Sequence, residues 1–243
     1  MKLSLERQNE LREQYRQDRP GWQPATELYA DLVRDNIESG SFLLDLGCGR
    51  GGLVEQLEHP LDQVIGLDPD WPSLVEHRLA NQHPTFSRIA GISLNLPFSE
   101  NCFDLIFSSW ILEHLSQPAD DFRQIGRVMR TGGILVFITP NARHPLAGLN
   151  RLLGRFSQIQ DMILPKFYGR SPADAFPAYY LANTKADLEQ LAQEGQMKLT
   201  QLHDVADPTY LAFTPSLFRF ACWLDDRLPA ERHIHLVGVV QKS

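Results

Sequence analysis

An acid stands two residues ahead of the first glycine in the run Asp45-Leu46-Gly47-Cys48-Gly49-Arg50-Gly51-Gly52. Glycines so spaced let a backbone turn sharply and come close to a ligand. The spacing Gly47-x-Gly49-x-x-Gly52 also fits a dinucleotide fingerprint, which is weak by itself. A second acid, Asp68, ends the apolar segment VIGLD, at the separation where a carboxylate meets a ribose hydroxyl pair.

Both nicotinamide dinucleotides and S-adenosylmethionine carry that ribose, so Asp68 does not choose between them. Asp45 does. A pyrophosphate beside it would face a carboxylate with no cation to offset it, whereas a ligand with an ammonium and a sulfonium would be attracted. Like charges a few ångströms apart repel by about 1–4 kcal/mol in water or near a surface, and opposite charges gain similarly. A hydrogen bond from the loop backbone to Asp45 is the plainer reading, and the two roles can coexist.

Three further residues are candidates for proton transfer: Glu113 and His114, just past a predicted strand, and His144, which follows Pro140-Asn141. An imidazole is the usual proton acceptor near neutral pH. The plainer reading for His114 is a ring packed against the sheet end with its nitrogens satisfied. Tyr179 and Tyr180 are candidates for an acceptor pocket or for core. Cys48 reads as a small packing residue. His233 and His235 alternate on a predicted strand without an evident third ligand, and no metal is expected.

These residues need a frame. FLLDLG (42–47), VIGLD (64–68), 86–90, FDLIFSS (103–109) and ILVFIT (134–139) read as apolar strands. Helices are expected between them: 25–38 with Thr26 as N-cap, a short one through Leu53, Val54 and Leu57, one opening at Pro72 through Leu74, Val75, Arg78 and Leu79, and 119–130, stopped by Gly132-Gly133. Such alternation predicts an α/β fold, a parallel sheet covered on both faces. A helix at 184–194, a strand at 197–204, a helical segment at 214–228 and a last strand at 233–241 follow.

With that order of elements, LDLGCGRGG, GLDPD (66–70), GISLNLPFSENCFDLIFSSWILEHL (91–115) and RTGGILVFITPN (130–141) together resemble the class I S-adenosylmethionine-dependent methyltransferases, in particular the small-molecule, ubiquinone-biosynthesis-like branch. The resemblance covers about residues 40–140 well. It implies a doubly wound seven-stranded sheet of order 3-2-1-4-5-7-6, strand 7 antiparallel, with a helical lid inserted after strand 5. It implies S-adenosyl-L-methionine as cofactor, its methionine part cradled by Asp45, Gly47, Cys48 and Gly49, its ribose on Asp68 and its adenine beside Pro69. Ser109, ending the fourth strand, joins that set. Many relatives read Gly-Asp-Ala where this chain has Gly91-Ile92-Ser93. Ile92 has no carboxylate for the adenine amino group, which leaves its backbone N–H, Ser93 or packing to hold the ring. Arg19, in Arg19-Pro20-Gly21-Trp22, is a candidate for the methionine carboxylate, with a solvated linker as the plainer reading.

The 243 residues suit a single domain, with an N-terminal helical arm at 1–24 and an acceptor lid at 141–182. A net charge of −7 makes nucleic acid a poor partner. Three cysteines give no disulfide framework, and the polar N-terminus resembles no signal peptide, so a cytoplasmic location is expected. From Arg143 to Arg170 the local charge is +4, which suits a solvated lid face, an anionic or lipid-like acceptor, or a peripheral membrane contact through 143–170. The expected function is methyl transfer to a small metabolite. The alternatives are a nicotinamide-dependent oxidoreductase and a degenerate S-adenosylmethionine-binding protein.

Overall fold

A computed structural model describes residues 4–80, 85–148 and 176–243. Most of the proposed lid, and four of its five basic residues, lie outside that range. Seven strands form one sheet: β1 (Leu43–Leu46), β2 (Val64–Asp68), β3 (Ser87–Ala90), β4 (Phe103–Ser109), β5 (Met129–Pro140), β6 (Met197–Val205) and β7 (His235–Lys242). Their order is β3-β2-β1-β4-β5-β7-β6, with β7 antiparallel to both its neighbours. This is the order the sequence resemblance implied.

The strands read as continuous apolar runs because both faces are covered. Leu44, Ile106 and Phe137 point to one side, where Phe122 and Ile125 of α4 (Pro118–Val128) and Leu188 of α5 (Lys185–Glu194) pack. Leu43, Leu105 and Val136 point to the other, against Tyr29 and Val33 of α2 (Ala25–Asp35). Thr184 caps α5 by accepting from the Asp187 N–H, and Thr214 caps α6 (Pro215–Asp225) by accepting from Leu217. Beside this core, α1 (Leu5–Asp18) lays Leu11 and Tyr15 against Phe218 of α6.

Several local expectations are corrected. α2 starts after Pro24, without a side-chain cap, so Thr26 is not its N-cap. The segment after the glycine loop forms only a single 3-10 turn, Val54–Gln56. α3 (Trp71–Ala80) takes Pro72 as its second residue, and it buries His77 and leaves Val75 and Leu79 exposed. His77 turns inward because its Nε2 meets the Glu55 carboxylate. α4 ends at Val128, and β5 begins at once, five residues earlier than expected. A register shift between Phe103 and Leu105 absorbs Thr131 to Gly133, with Gly132 at φ +80°. The last strand begins at His235, which leaves His233 outside it.

Candidate active site

The loop after β1 lies at the carboxyl edge of the sheet, where the strand order reverses between β1 and β4, the usual place for a ligand in an open α/β sheet. Gly47 donates its N–H to the Leu67 carbonyl at 2.7 Å, which folds the loop over β2. Its φ of +82° lies in the left-handed region, and a Cβ there would overlap the Ile111 side chain. Gly47 is therefore required both by backbone conformation and by close approach. Cys48 is buried, with its Sγ against Gly66 of β2, and burial pushes its thiol pKa up. It packs against the sheet.

Asp45 is 6% exposed, in register with Gly66 and Phe107. Burial, with the charges of Glu55 and Asp68 close by, pushes its carboxyl up to about 8. The charges of Glu55 and Asp68 make ionisation of Asp45 costlier still, a cost that a cation relieves. Asp68 is buried at the end of β2. Its Oδ2 accepts from the Gly49 N–H at 2.9 Å and its Oδ1 from the Asp70 N–H at 2.8 Å. Each oxygen retains acceptor capacity toward a ligand hydroxyl. Burial raises the Asp68 pKa, and those two N–H donors oppose the shift.

Pro69 is exposed beside this acid, and Ile92 is 50% exposed after β3. Ser93 opens a 3-10 turn and lies against Asp121, whose buried carboxyl has a raised pKa. Across the crevice, Ser109 ends β4 beside Tyr29, a buried phenol near Asp45. Trp110 follows at φ +58°, a strained backbone for a bulky residue, donating its N–H to Ile138 and meeting His235 edge-on at 5.0 Å. Tyr29 and Ile111 were not singled out from the sequence. Tyr29 sits on a helical apolar face and looks like core until the fold sets it beside Asp45.

The proton-transfer candidates separate. Glu113 is buried, its Oε2 accepting from the Thr139 hydroxyl at 3.0 Å, and Thr139 in turn accepts from Asn183 at 2.7 Å. Its carbonyl accepts the N–H groups of Tyr179 and Tyr180, so both tyrosines are pinned at this rim. His114 is half-buried, with Nδ1 2.9 Å from the Pro177 carbonyl and Nε2 3.9 Å from Glu113. A carbonyl can only accept, so Nδ1 carries the proton and Nε2 presents its lone pair. His144 lies elsewhere. It is buried, its Nδ1 accepts from the Leu146 N–H, and burial with His233 nearby pushes it down to about 4. Arg19 reaches across to the last helix, forked onto the Asp226 carboxylate at 2.8 Å and stacked 4.0 Å over Tyr15. Among the described residues no cluster of three or more metal-type ligands occurs.

The residues present fit a ligand with a cationic amino-acid end and a ribose: a buried carboxylate without a matching cation among the described residues, a cradle that a Cβ would fill, and an acid fixed by two N–H donors. Residues 44–137 match the family model described as a methyltransferase domain. The stretch that carries the glycine loop, Asp45 and Asp68 is thus similar to a methyltransferase domain.

Among curated proteins, the chain is 35% identical over 116 residues to demethylmenaquinone methyltransferase of Lactiplantibacillus plantarum, covering 43% of this chain and 47% of that one. The match thus spans about half the length of that relative. Among solved structures, an S-adenosylmethionine-dependent methyltransferase from Mesorhizobium loti superposes with a TM-score of 0.60 at 18% identity, over 90% of this chain and 98% of the other. The [4+2]-cyclase SpnF superposes equally well, with a TM-score of 0.61 at 17% identity, over 92% and 83%. Likeness at these identities establishes the fold, and the SpnF match underlines that one fold hosts different chemistry.

Proposed function

We propose that this chain binds S-adenosylmethionine at the glycine loop and transfers its methyl group to a small-molecule acceptor. The observation that carries the reading is Asp45: a buried carboxyl crowded by Glu55 and Asp68, which suits a cation and opposes a pyrophosphate. That sign also disfavours the nicotinamide alternative.

The cofactor supplies a methyl group already activated on a sulfonium, so the protein's work is to position the acceptor and exclude water. Asp45 would hold the ammonium end, helped by the Gly47 and Gly49 backbone. Asp68 would take the ribose hydroxyls. Pro69 and Ile92 would flank the adenine by packing, since Ser93 already faces Asp121. On the acceptor side, Glu113, fixed by Thr139, forms the rim from which His114 projects. His114 would accept a proton on Nε2 where the acceptor must lose one. Buried His144 is a poor base in this arrangement. The acceptor would be a partly apolar or anionic metabolite.

Calorimetry with S-adenosylmethionine, S-adenosylhomocysteine and NAD tests the assignment. Binding of the first two and not the third is expected. NAD binding alone would reverse it, and cofactor binding without turnover on a broad acceptor panel would favour a non-transferring protein.

A further inference from the structure

A cavity of about 730 Å³ lies between the N-terminal arm and α6, near the end of β6. Its walls include Tyr15, Trp22, Leu28, Val205 and Leu228, and none of Asp45, Gly47 and Asp68 lines it. It is lined by residues other than those of the glycine loop.

The charge of this cavity is unbalanced. Asp204, Asp225, Asp226, Arg19, His203 and His233 line it. Arg19 and Asp226 neutralise each other in a forked pair. Asp204 and Asp225 have no such forked cation among the described residues; burial raises both carboxyls, Asp225 to about 6, and nearby His233 opposes the shift in each. Asp225 is 7% exposed, and its Oδ2 has no hydrogen-bond partner among the described residues. It is also the last residue of α6, where the helix dipole disfavours an anion. A buried carboxyl with one oxygen unpaired at a helix C-terminus is a standing cost to folding, and such costs concentrate at binding sites.

We propose that this cavity is a binding site for a small organic ammonium compound with an apolar or aromatic body. Asp225, supported by Asp204, receives the cationic head. Trp22, Leu28 and Leu228 cover the body. Trp22 is held in place because its indole N–H donates to the Ala206 carbonyl at 2.9 Å.

That indole proton reports on the site. The chain has four tryptophans, so four indole signals are expected from the labelled full chain, and a Trp22→Phe variant identifies the one concerned. The probe is 2-phenylethylammonium, with 2-phenylethanol as its uncharged counterpart. A saturable shift of the Trp22 signal with the ammonium, half-complete at about 1 mM or below, is expected. The alcohol should bind at least about tenfold more weakly. Asp225→Asn should lose about tenfold in ammonium affinity while the melting temperature rises, because the uncompensated acid is gone. A purely structural Asp225 would give a lower melting temperature instead. Should that variant not fold, judged by its indole dispersion, Asp204→Asn takes its place, with a smaller loss of affinity expected. Equal shifts with the alcohol, unchanged affinity in the folded variant, or no saturable shift of the wild-type signal would each overturn the assignment.

Discussion

Replacing Asp45 with Asn keeps the shape of the side chain and removes its charge. In the free protein its carboxyl titrates at about 8. A cationic ligand should prefer the ionised form by about 1–4 kcal/mol, between about fivefold and a thousandfold, for a pair about 4 Å apart. At pH 6 only about one such carboxyl in a hundred is ionised, against most of them at pH 9. The affinity ratio of wild type to Asp45→Asn for S-adenosylmethionine should therefore be small near pH 6. It should climb by up to about tenfold per pH unit and level off above about pH 8. The ligand's own α-ammonium loses its proton in the same range, so the ratio, and not either affinity alone, is the quantity to follow. Calorimetry from pH 6 to pH 9 measures it. The free protein gives a second readout with a defined sign. The folded pKa of Asp45 lies above the unfolded value, so its contribution to stability is fully present below about pH 4 and is lost as pH rises to about 8. The variant should show a flatter decline across that window. A ratio independent of pH, or an Asp45→Asn protein that binds as well as wild type at pH 8.5, would refute the electrostatic reasoning.

Gly47→Ala meets both an unfavourable φ and the Ile111 side chain, so a loss of about 1–3 kcal/mol in urea unfolding and of cofactor binding is expected; adding Ile111→Ala should recover only part of it. His144 and His235 are both pushed down to about 4 by burial. The unfolded chain binds their protons first, so stability should fall as pH drops from about 6.5 to 4, and His235→Asn should flatten that fall by about 3 kcal/mol at most. Arg12→Ala leaves the buried Asp207 without its partner at 2.8 Å, which should cost about 2 kcal/mol and expose the arm to trypsin in limited proteolysis. If His114 accepts the acceptor's proton, His114→Ala should lower kcat by about a hundredfold or more with cofactor affinity unchanged; an equal loss in both would assign it to positioning.

Where the sequence is locally self-sufficient, it was readable. β1, β2 and β4 are buried on both faces, so their apolar runs identify them without tertiary context. Thr184 and Thr214 cap helices through neighbours three residues away, so both helices begin on local chemistry. The misreadings are places where a distant partner decides. Val75 and Leu79 look like a buried stripe, but His77 takes the inner face because Glu55 waits for it 22 residues back. Met129 to Gly133 join β5 only because β4 lies alongside with a shifted register. In the candidate site, the acids and glycines declare themselves by type and spacing. Tyr29, Ile111 and the Glu113–Thr139–Asn183 chain do not, because contacts between remote segments bring them there. The Arg19–Asp226 fork joins residues 207 apart, and no local pattern encodes it.

That fork, with Arg12 on Asp207, has a consequence for the order in which the molecule assembles. Arg12 and Arg19 meet these two carboxylates only after about two hundred further residues have been made. Until then Leu11 and Tyr15 lack Ala212 and Phe218, and the sheet from β1 to β5 can form without them. Closing so long a loop comes late in folding. The ammonium cavity should accordingly be the last compartment to appear, and the first to open when the chain is stressed.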